Sequence, residues 1–144
     1  MSKYALSETL HQLIHTYTNL LLEGVKRQEL DLSVTHIRTL KGVCQNPEVT
    51  AKSIAQRMQR DKAQVTRALN DLLVADLIVK KDNPLDGRSQ LLQPTAKGKA
   101  VMAKLNAAEE WTREQLTQHL TEAELNAFLQ VSKTMINNVK NSQS

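Results

Sequence analysis

TAKSIAQRMQRDKAQVTRALNDLLVADLIVKKDNPLDGRS, residues Thr50–Ser89 of a 144-residue chain, is the stretch that decides the fold. It begins with two short runs in which apolar residues recur at helical spacing. Thr50 can cap the first helix, and Asp61 with Gln64 three places later resembles a capping box at the start of the second. Two capped helices in direct succession predict a helix-turn-helix. The expected inward residues are Ile54, Ala55 and Met58 in the first helix and Val65, Leu69, Leu72 and Leu73 in the second.

A β-hairpin is predicted directly after the helix pair. Leu77–Val79 and Leu91–Leu92 are short strand-forming runs, and a turn containing Pro84 and Gly87 separates them. Arg88 is expected to open the second strand and to project from the hairpin as a positive finger. The stretch therefore predicts a winged helix-turn-helix, in which the hairpin is the wing.

Further helices are predicted on both sides of this stretch. Residues 5–27 form a long first helix, and Ser33 can cap a second helix. The second helix should end at Asn46-Pro47, because the residue before proline is disfavoured in a helix. Thr95 can cap a fifth helix that runs to about Leu120. The expected inward residues are Ile37, Leu40 and Cys44 in the second helix and Ala100, Val101, Leu105, Ala108 and Thr112 in the fifth.

The last helix should begin at Thr121–Glu124, which reads as a capping box, and a polar tail over Asn141–Ser144 is expected to fray. The first, fifth and last helices have broad apolar faces, whereas the middle of the chain can close its own small core. A second copy of the chain is the expected cover for these faces. The sequence therefore predicts a homodimer with a two-fold axis.

Composition limits the classes of protein to consider. The net charge of +4 and the pI of about 9.3 permit a polyanionic partner. One cysteine, Cys44, excludes an intrachain disulfide and fits a reducing cytosol. No apolar run approaches the ~20 residues of a membrane span, and no secretory signal is visible. The chain is expected to be soluble and cytoplasmic, with no membrane partner.

The second helix of the pair has an outward face suited to reading DNA. With Val65 inward, a rotation of about 100° per residue places a small polar face on the opposite side. Arg67 can donate a bidentate pair of hydrogen bonds to guanine, and Gln64 and Asn70 have the donor and acceptor that suit adenine. The predicted DNA-binding residues of this helix are Lys62, Ala63, Gln64, Thr66, Arg67 and Asn70.

Charge supports the same interpretation. Five cations lie between Lys52 and Arg67, including Arg60, against one anion, Asp61. Cations that neutralise phosphates release counterions, so binding would depend on salt. Ser53 is expected to donate to a phosphate at a helix N-terminus. In the wing, Asp86 is expected to orient the Arg88 guanidinium or to anchor the wing to the second helix of the pair, and both belong to the predicted DNA-binding set.

These residues resemble the MarR family of winged-helix bacterial transcription regulators. The resemblance covers essentially the whole chain, and the Asp-x-Arg signature of the wing with the Thr-x-x-Gly after it is its most specific part. Two departures are Pro94, where the family usually has Leu, and a wing with fewer charges than the common version. The matching motifs are Leu32-Ser33, Ser53-Ile54-Ala55, Gln64–Leu69, Asp76–Val79, Asp86-x-Arg88 and Pro94–Gly98.

The resemblance implies a mainly α fold with a small β-hairpin wing, that is, a winged helix-turn-helix with terminal dimerisation helices. It implies one domain over residues 1–144, with dimerisation helices at about 5–27 and 96–140 and the winged helix-turn-helix at about 33–94. It also implies a homodimer on palindromic double-stranded DNA, usually a repressor that a small molecule or an oxidant releases.

Other residues are expected to play ordinary structural roles. Cys44 falls on an apolar stripe, which favours a buried thiol over a redox sensor. His11 and His15 have the spacing of a metal pair but no evident third ligand, and Trp111 is expected to pack in the dimer region. No nucleophile–base pair is visible, so neither an enzyme, nor a cofactor, nor a metal is predicted.

Two questions stay open in the sequence. A small aromatic or anionic effector is possible, and its candidate residues are His15, Tyr17, His36 and Arg38, although packing and solvation explain them as well. The alternative function is a winged-helix protein-interaction module with little affinity for DNA. Such modules tend to lose the cations of the reading face, whereas Lys62, Arg67 and Arg88 are all present.

Overall fold

The computed structural model describes residues 4–58 and 62–142. In these residues six helices and one two-stranded antiparallel hairpin follow one another, so the expected mainly α fold with a small wing is confirmed. None of the helices in this part is long and apolar enough to cross a membrane. The elements are α1 (Ala5–Arg27), α2 (Val34–Gln45), α3 (Ala51–Met58), α4 (Lys62–Val74), β1 (Ile78–Asp82), β2 (Gln90–Pro94), α5 (Ala96–Leu116) and α6 (Glu122–Ser142).

Four predicted helix caps are confirmed, those at Ser33, Thr50, Thr95 and Thr121. The Ser33 hydroxyl accepts from the backbone N–H of His36 at 3.2 Å and caps α2. The Thr50 hydroxyl accepts from the backbone N–H of Ser53 at 3.1 Å and caps α3. At α6 the Thr121 hydroxyl accepts from the backbone N–H of Glu124 at 3.1 Å, and the Glu124 carboxylate accepts from Thr121 N–H. The cap predicted at Asp61 lies outside the described residues.

The core holds the winged helix-turn-helix together. Side chains from α2, α3 and α4 meet one another and the start of the hairpin, and residues from α1 and α5 extend the same cluster. Backbone pairing adds a further link, since Leu92 N–H donates to the Val49 carbonyl at 2.7 Å in an isolated bridge. The core residues of the winged part include Ile37, Leu40, Val43, Ile54, Val65, Leu69, Leu72, Leu77, Ile78 and Leu92.

The junction between the hairpin and α5 fixes where the wing begins. Thr95 Oγ1 accepts from Gly98 N–H at 2.9 Å and donates to the Asp76 carbonyl at 2.6 Å. Thr95 N–H donates to the Leu77 carbonyl at 3.0 Å. An ideal Cβ on Gly98 would lie 1.9 Å from that same carbonyl oxygen, so only glycine allows α5 to begin this close to the chain leaving α4. These contacts give the Thr-x-x-Gly motif its physical role.

Several predicted boundaries are wrong by a few residues. Leu77 precedes β1 because its N–H continues the hydrogen bonding of α4 to Leu72, after Asp76 has turned with a φ of 60°. The fifth helix ends at Leu116 rather than near Leu120, and His119 has a φ of 68° in the turn that follows.

Some burial assignments also need correction. The last helix, α6, continues through Asn141 and Ser142, where a frayed polar tail was expected. Ala100 is exposed, and the buried side of α5 runs instead through Gly98, Met102, Leu105, Ala108 and Thr112. Cys44 and Leu73 are half-buried at the edge of the core rather than inside it.

The chain divides into two compact units, one up to Thr112 and one from Arg113 onward. In the first unit, α1 buries Leu21, Gly24 and Val25 near its C-terminus, while its N-terminal half exposes apolar side chains. In the second unit, α6 buries no residue. The exposed apolar residues are Leu6, Leu10, Leu13, Ile14 and Tyr17 in α1 and Phe128, Leu129, Val131, Met135, Ile136 and Val139 in α6.

Candidate nucleic-acid interface

Helix α4 divides into a buried face and a polar exposed face. Val65, Ala68, Leu69 and Leu72 are buried, with exposures of 4% or less, because α2 and α3 pack against this side. The predicted orientation of the helix is therefore confirmed. All the residues of its predicted reading face are exposed: Lys62, Ala63, Gln64, Thr66, Arg67 and Asn70.

Two side chains on the exposed face fold back along their own helix. Thr66 Oγ1 donates to the Lys62 carbonyl at 2.8 Å, so the one hydrogen of the Thr66 hydroxyl is already bonded within the helix. Arg67 Nε donates to the Ala63 carbonyl at 3.3 Å. No ion pair involves Arg67 in the part of the chain that the structure describes, and the residue is exposed.

The tip of the wing is a tightly hydrogen-bonded turn. The Asn83 side chain accepts from Leu85 N–H at 3.0 Å and donates to Ser89 Oγ at 3.1 Å. Asp86 Oδ1 accepts from Arg88 N–H at 3.0 Å. These bonds keep Arg88 within the turn, so the prediction that it opens the second strand is wrong, because β2 begins at Gln90. Asp86 therefore shapes the backbone beneath Arg88 in place of the expected contact with its guanidinium.

A cleft of about 480 Å³ separates the N-terminus of α3 from the wing. Lys52 lines it from the helix side, and Lys80 and Arg88 line it from the wing side together with Asp86. Three cations thus face one carboxylate across the opening. The sequence interpretation missed Lys80, although strand alternation could have found it, since it follows the buried Ile78 by two residues in β1.

Ser53 is placed less favourably for the predicted phosphate contact. It is half-buried, and its hydroxyl donates to the Thr50 carbonyl at 3.0 Å while accepting from Thr50 N–H at 2.9 Å. Donation to a phosphate would break the first of these bonds. Of the other cations near this helix, Arg57 is exposed, and Arg60 lies outside the described residues.

The four candidate effector residues occupy different settings. His15 Nε2 lies 3.0 Å from Asn19 Nδ2 on α1, and Tyr17 and Arg38 are exposed. Both ring nitrogens of His36 have protein partners, at Ser33 and at Asp71. A cleft between α1 and the loop before α2 is lined by Asn19, Leu22, Lys26, Ser33 and their neighbours, and by none of the four candidates. The effector site remains a prediction.

The other singled-out residues have local explanations. Partial burial raises the pKa of the Cys44 thiol, and the positive charge of Lys99 opposes that rise. The Arg27 guanidinium carbon lies 4.6 Å from the centre of the Trp111 ring, a cation–π contact between α1 and α5. Within residues 4–58 and 62–142, no three His, Cys, Asp or Glu side chains gather as a metal site would require, and His11 and His15 are exposed.

Comparison with known proteins matches residues 30–89 to the model of the MarR family. Among solved structures, a MarR family transcription regulator has 22% identity and a TM-score of 0.84, covering 96% of this chain and 90% of that one. The MarR protein of Peptoclostridium difficile has 25% identity and a TM-score of 0.82, covering 99% and 91%. A MarR family regulator from Listeria monocytogenes in complex with a 26mer DNA has 21% identity and a TM-score of 0.79, covering 94% and 89%. No curated protein gives a significant match.

Proposed function

The chain belongs to the MarR family, and we propose that it is a dimeric, sequence-specific DNA-binding transcription regulator that represses from palindromic operators. A small aromatic or anionic effector would release it from the DNA. The observation that carries the proposal is the exposed face of α4, which is polar at Lys62, Gln64, Thr66, Arg67 and Asn70 while the opposite face is buried. The Listeria monocytogenes regulator that this chain resembles in fold was solved in complex with a 26mer DNA, which supports DNA as the partner.

Helix α4 would lie in the major groove and read bases directly. Ala63 is small and exposed, which lets the backbone approach the groove floor. Arg67 would donate to the O6 and N7 atoms of guanine through its terminal guanidinium nitrogens. Gln64 and Asn70 would contact adenine, and Thr66 would contact a thymine methyl group. Lys62 at the start of the helix would contact phosphate.

The wing and the cleft beside it would bind the DNA backbone. Arg88 is presented on a turn whose conformation is already fixed by hydrogen bonds, so little conformational entropy would be lost on binding. Lys52 and Lys80 line the cleft and carry the charge that a phosphate needs. Each phosphate contact of this kind adds to the salt dependence of binding.

A homodimer would place two α4 helices on the two halves of a palindrome. The support is the set of exposed large apolar side chains that α1 and α6 each carry. In this proposal residues 1–144 act as one MarR-like domain. The helices at about 5–27 and 96–140 make the dimer, and residues of about 33–94 contact the DNA.

The experiment is a fluorescence-anisotropy titration of the full chain against the duplex upstream of its own gene, with a scrambled duplex alongside, at two salt concentrations. Tight, salt-sensitive binding that prefers the native duplex supports a sequence-specific regulator. Equal, weak binding to both duplexes argues for the protein-interaction module and calls for selection from a randomised duplex pool.

Two charge-removing variants sharpen the titration. Lys62→Ala removes a cation from the proposed interface and should lower the slope of log K against log salt by about one. Lys133→Ala removes a cation from α6, outside the winged helix-turn-helix, and should leave that slope unchanged. If both variants change the slope equally, the net charge of the protein drives binding and the proposed interface is wrong.

A further inference from the structure

The imidazole of His36 connects the start of α2 to α4. Its Nδ1 lies 3.2 Å from Ser33 N and 2.8 Å from Ser33 Oγ. Its Nε2 lies 2.8 Å from Asp71 Oδ2 on α4. The backbone nitrogen of Ser33 can only donate, so Nδ1 must accept and Nε2 carries the hydrogen that is donated to Asp71. One side chain therefore completes the cap of α2 and holds a carboxylate of α4.

Asp71 stands one helical turn after Arg67, on the helix that carries the proposed reading face. Residues four apart on a helix are neighbours, and opposite charges at this spacing attract each other. The Asp71 side chain is 65% exposed, so a rotamer change could bring its carboxylate to the Arg67 guanidinium. In the structure that pair is not formed. The carboxylate is bonded to His36, and the hydrogen bond of Arg67 goes to the Ala63 carbonyl.

We propose that His36 is a positioning residue, which holds the Asp71 carboxylate away from Arg67 and so keeps the Arg67 guanidinium available for DNA. The inference rests on the proposed function, because it assumes that Arg67 contacts DNA. It also makes the His36–Asp71 hydrogen bond a control point. Any event that breaks this bond lets Asp71 compete with the DNA for Arg67.

A second role for the same bond would be purely structural, as a tie between α2 and α4. The two roles differ in what they predict for Asp71. If the bond only ties the helices, removing either partner should weaken DNA binding equally. If His36 sequesters the Asp71 carboxylate, loss of His36 weakens DNA binding. Loss of Asp71 removes the competitor for Arg67 and leaves DNA binding intact.

The variants can be chosen so that the helix cap survives. His36→Gln keeps a side chain that can complete a capping box with Ser33, since glutamine is favoured at the third helical position. Asp71→Ala removes the carboxylate from an exposed position. The full-length single variants, the double variant and wild type are titrated by anisotropy with the duplex that wild type binds specifically. Low salt is used, where screening is weakest.

We expect His36→Gln to bind about twofold more weakly, which is the size of effect that one surface pair at this spacing gives. Asp71→Ala should bind as tightly as wild type or more tightly, and the double variant should match Asp71→Ala. Melting curves for each variant show whether the fold is intact. Equal weakening in His36→Gln and Asp71→Ala overturns the proposal, and so does an unchanged His36→Gln.

Failure of the proposed function would look different. In that case wild type would not distinguish the native duplex, or any selected duplex, from a scrambled one. If wild type binds specifically but Arg67→Ala binds equally well, the regulator proposal stands and the role of His36 falls.

Discussion

Replacing Gly98 by alanine should destabilise the protein strongly, because the new methyl group would clash with the backbone of Leu77. Its carbon would lie 1.9 Å from the carbonyl oxygen of Leu77 and 2.9 Å from the carbonyl carbon. Carbon and oxygen atoms in proteins normally stay about 3.3 Å apart even in close C–H···O contacts. The atom that must move belongs to the backbone, so a side-chain rotation cannot relieve the clash.

The cost can be worked from the contacts that the movement would break. Overpacking of this kind costs about 1–3 kcal/mol. Moving α5 away from Leu77 also stretches the bond from Thr95 N–H to the Leu77 carbonyl and the bond from Gly98 N–H to Thr95 Oγ1. Each such bond contributes about 1 kcal/mol, so the total loss of unfolding free energy is about 3–5 kcal/mol. For a chain of this length that lowers the melting temperature by roughly 10 °C.

Gly87→Ala is the matched control. A Cβ at Gly87 would have no atom within 4 Å, and no glycine of the described part has a positive φ. Its unfolding free energy should stay within about 0.5 kcal/mol of wild type. Both variants are melted by circular dichroism at the same protein concentration, because the stability of the proposed dimer would depend on concentration. If Gly98→Ala and Gly87→Ala have the same melting temperature, the close approach of α5 to Leu77 is wrong.

Four further outcomes are expected. Arg67→Ala should cost about 1–3 kcal/mol on the specific duplex and relax the preference at one base pair; equal weakening on all sequences in a competition assay would identify a phosphate contact instead. Arg88→Ala should lower DNA affinity in anisotropy while sedimentation still shows a dimer, and unchanged affinity would remove the wing from the mechanism. Leu129→Glu should dissociate or unfold the dimer, and a stable dimer carrying it would refute this placement of the interface. Thr121→Ala should raise the depressed pKa of the Glu124 carboxyl only part of the way towards its usual value in an NMR titration, because the backbone N–H at position 121, whose hydrogen bond lowers that pKa most, is kept and only the smaller contribution of the Thr121 hydroxyl is lost; no change would show that the hydroxyl does not act on the carboxylate.

Much of the fold could be predicted because its signals are local. A capping residue and its partner lie three positions apart, so Ser33, Thr50 and Thr121 could be read directly as helix starts. The orientation of α4 followed from Val65 and a helical period, since one buried position fixes all the others on the same helix. The predicted helix ends were wrong where a turn follows a periodic segment, as after Leu116 at the end of α5.

The parts that could not be predicted depend on contacts between distant positions. His36 and Asp71 are 35 residues apart, and no period connects them. The position of Arg88 was missed because the Asp86 carboxylate bonds to a backbone N–H, where the spacing suggested a guanidinium. His36 and Asp86 were both noticed in the sequence, but Asp71 was not singled out as a partner of His36, and the partner expected for Asp86 was wrong. A short polar side chain has several partners within reach, and only the folded backbone selects one of them.

The structure separates the groups that hold α4 in place from the groups that α4 offers to a partner. Leu69 and Leu72 fix the helix in the core, and the junction at Gly98 fixes the chain that follows it. Exposed residues such as Arg67 contribute little to the core. Stability and DNA affinity should therefore change independently in these variants. Gly98→Ala should lower the melting temperature, whereas Arg67→Ala should lower DNA affinity and leave the melting temperature unchanged. Because neither face of α4 constrains the other, this scaffold can present a different set of reading residues without being repacked.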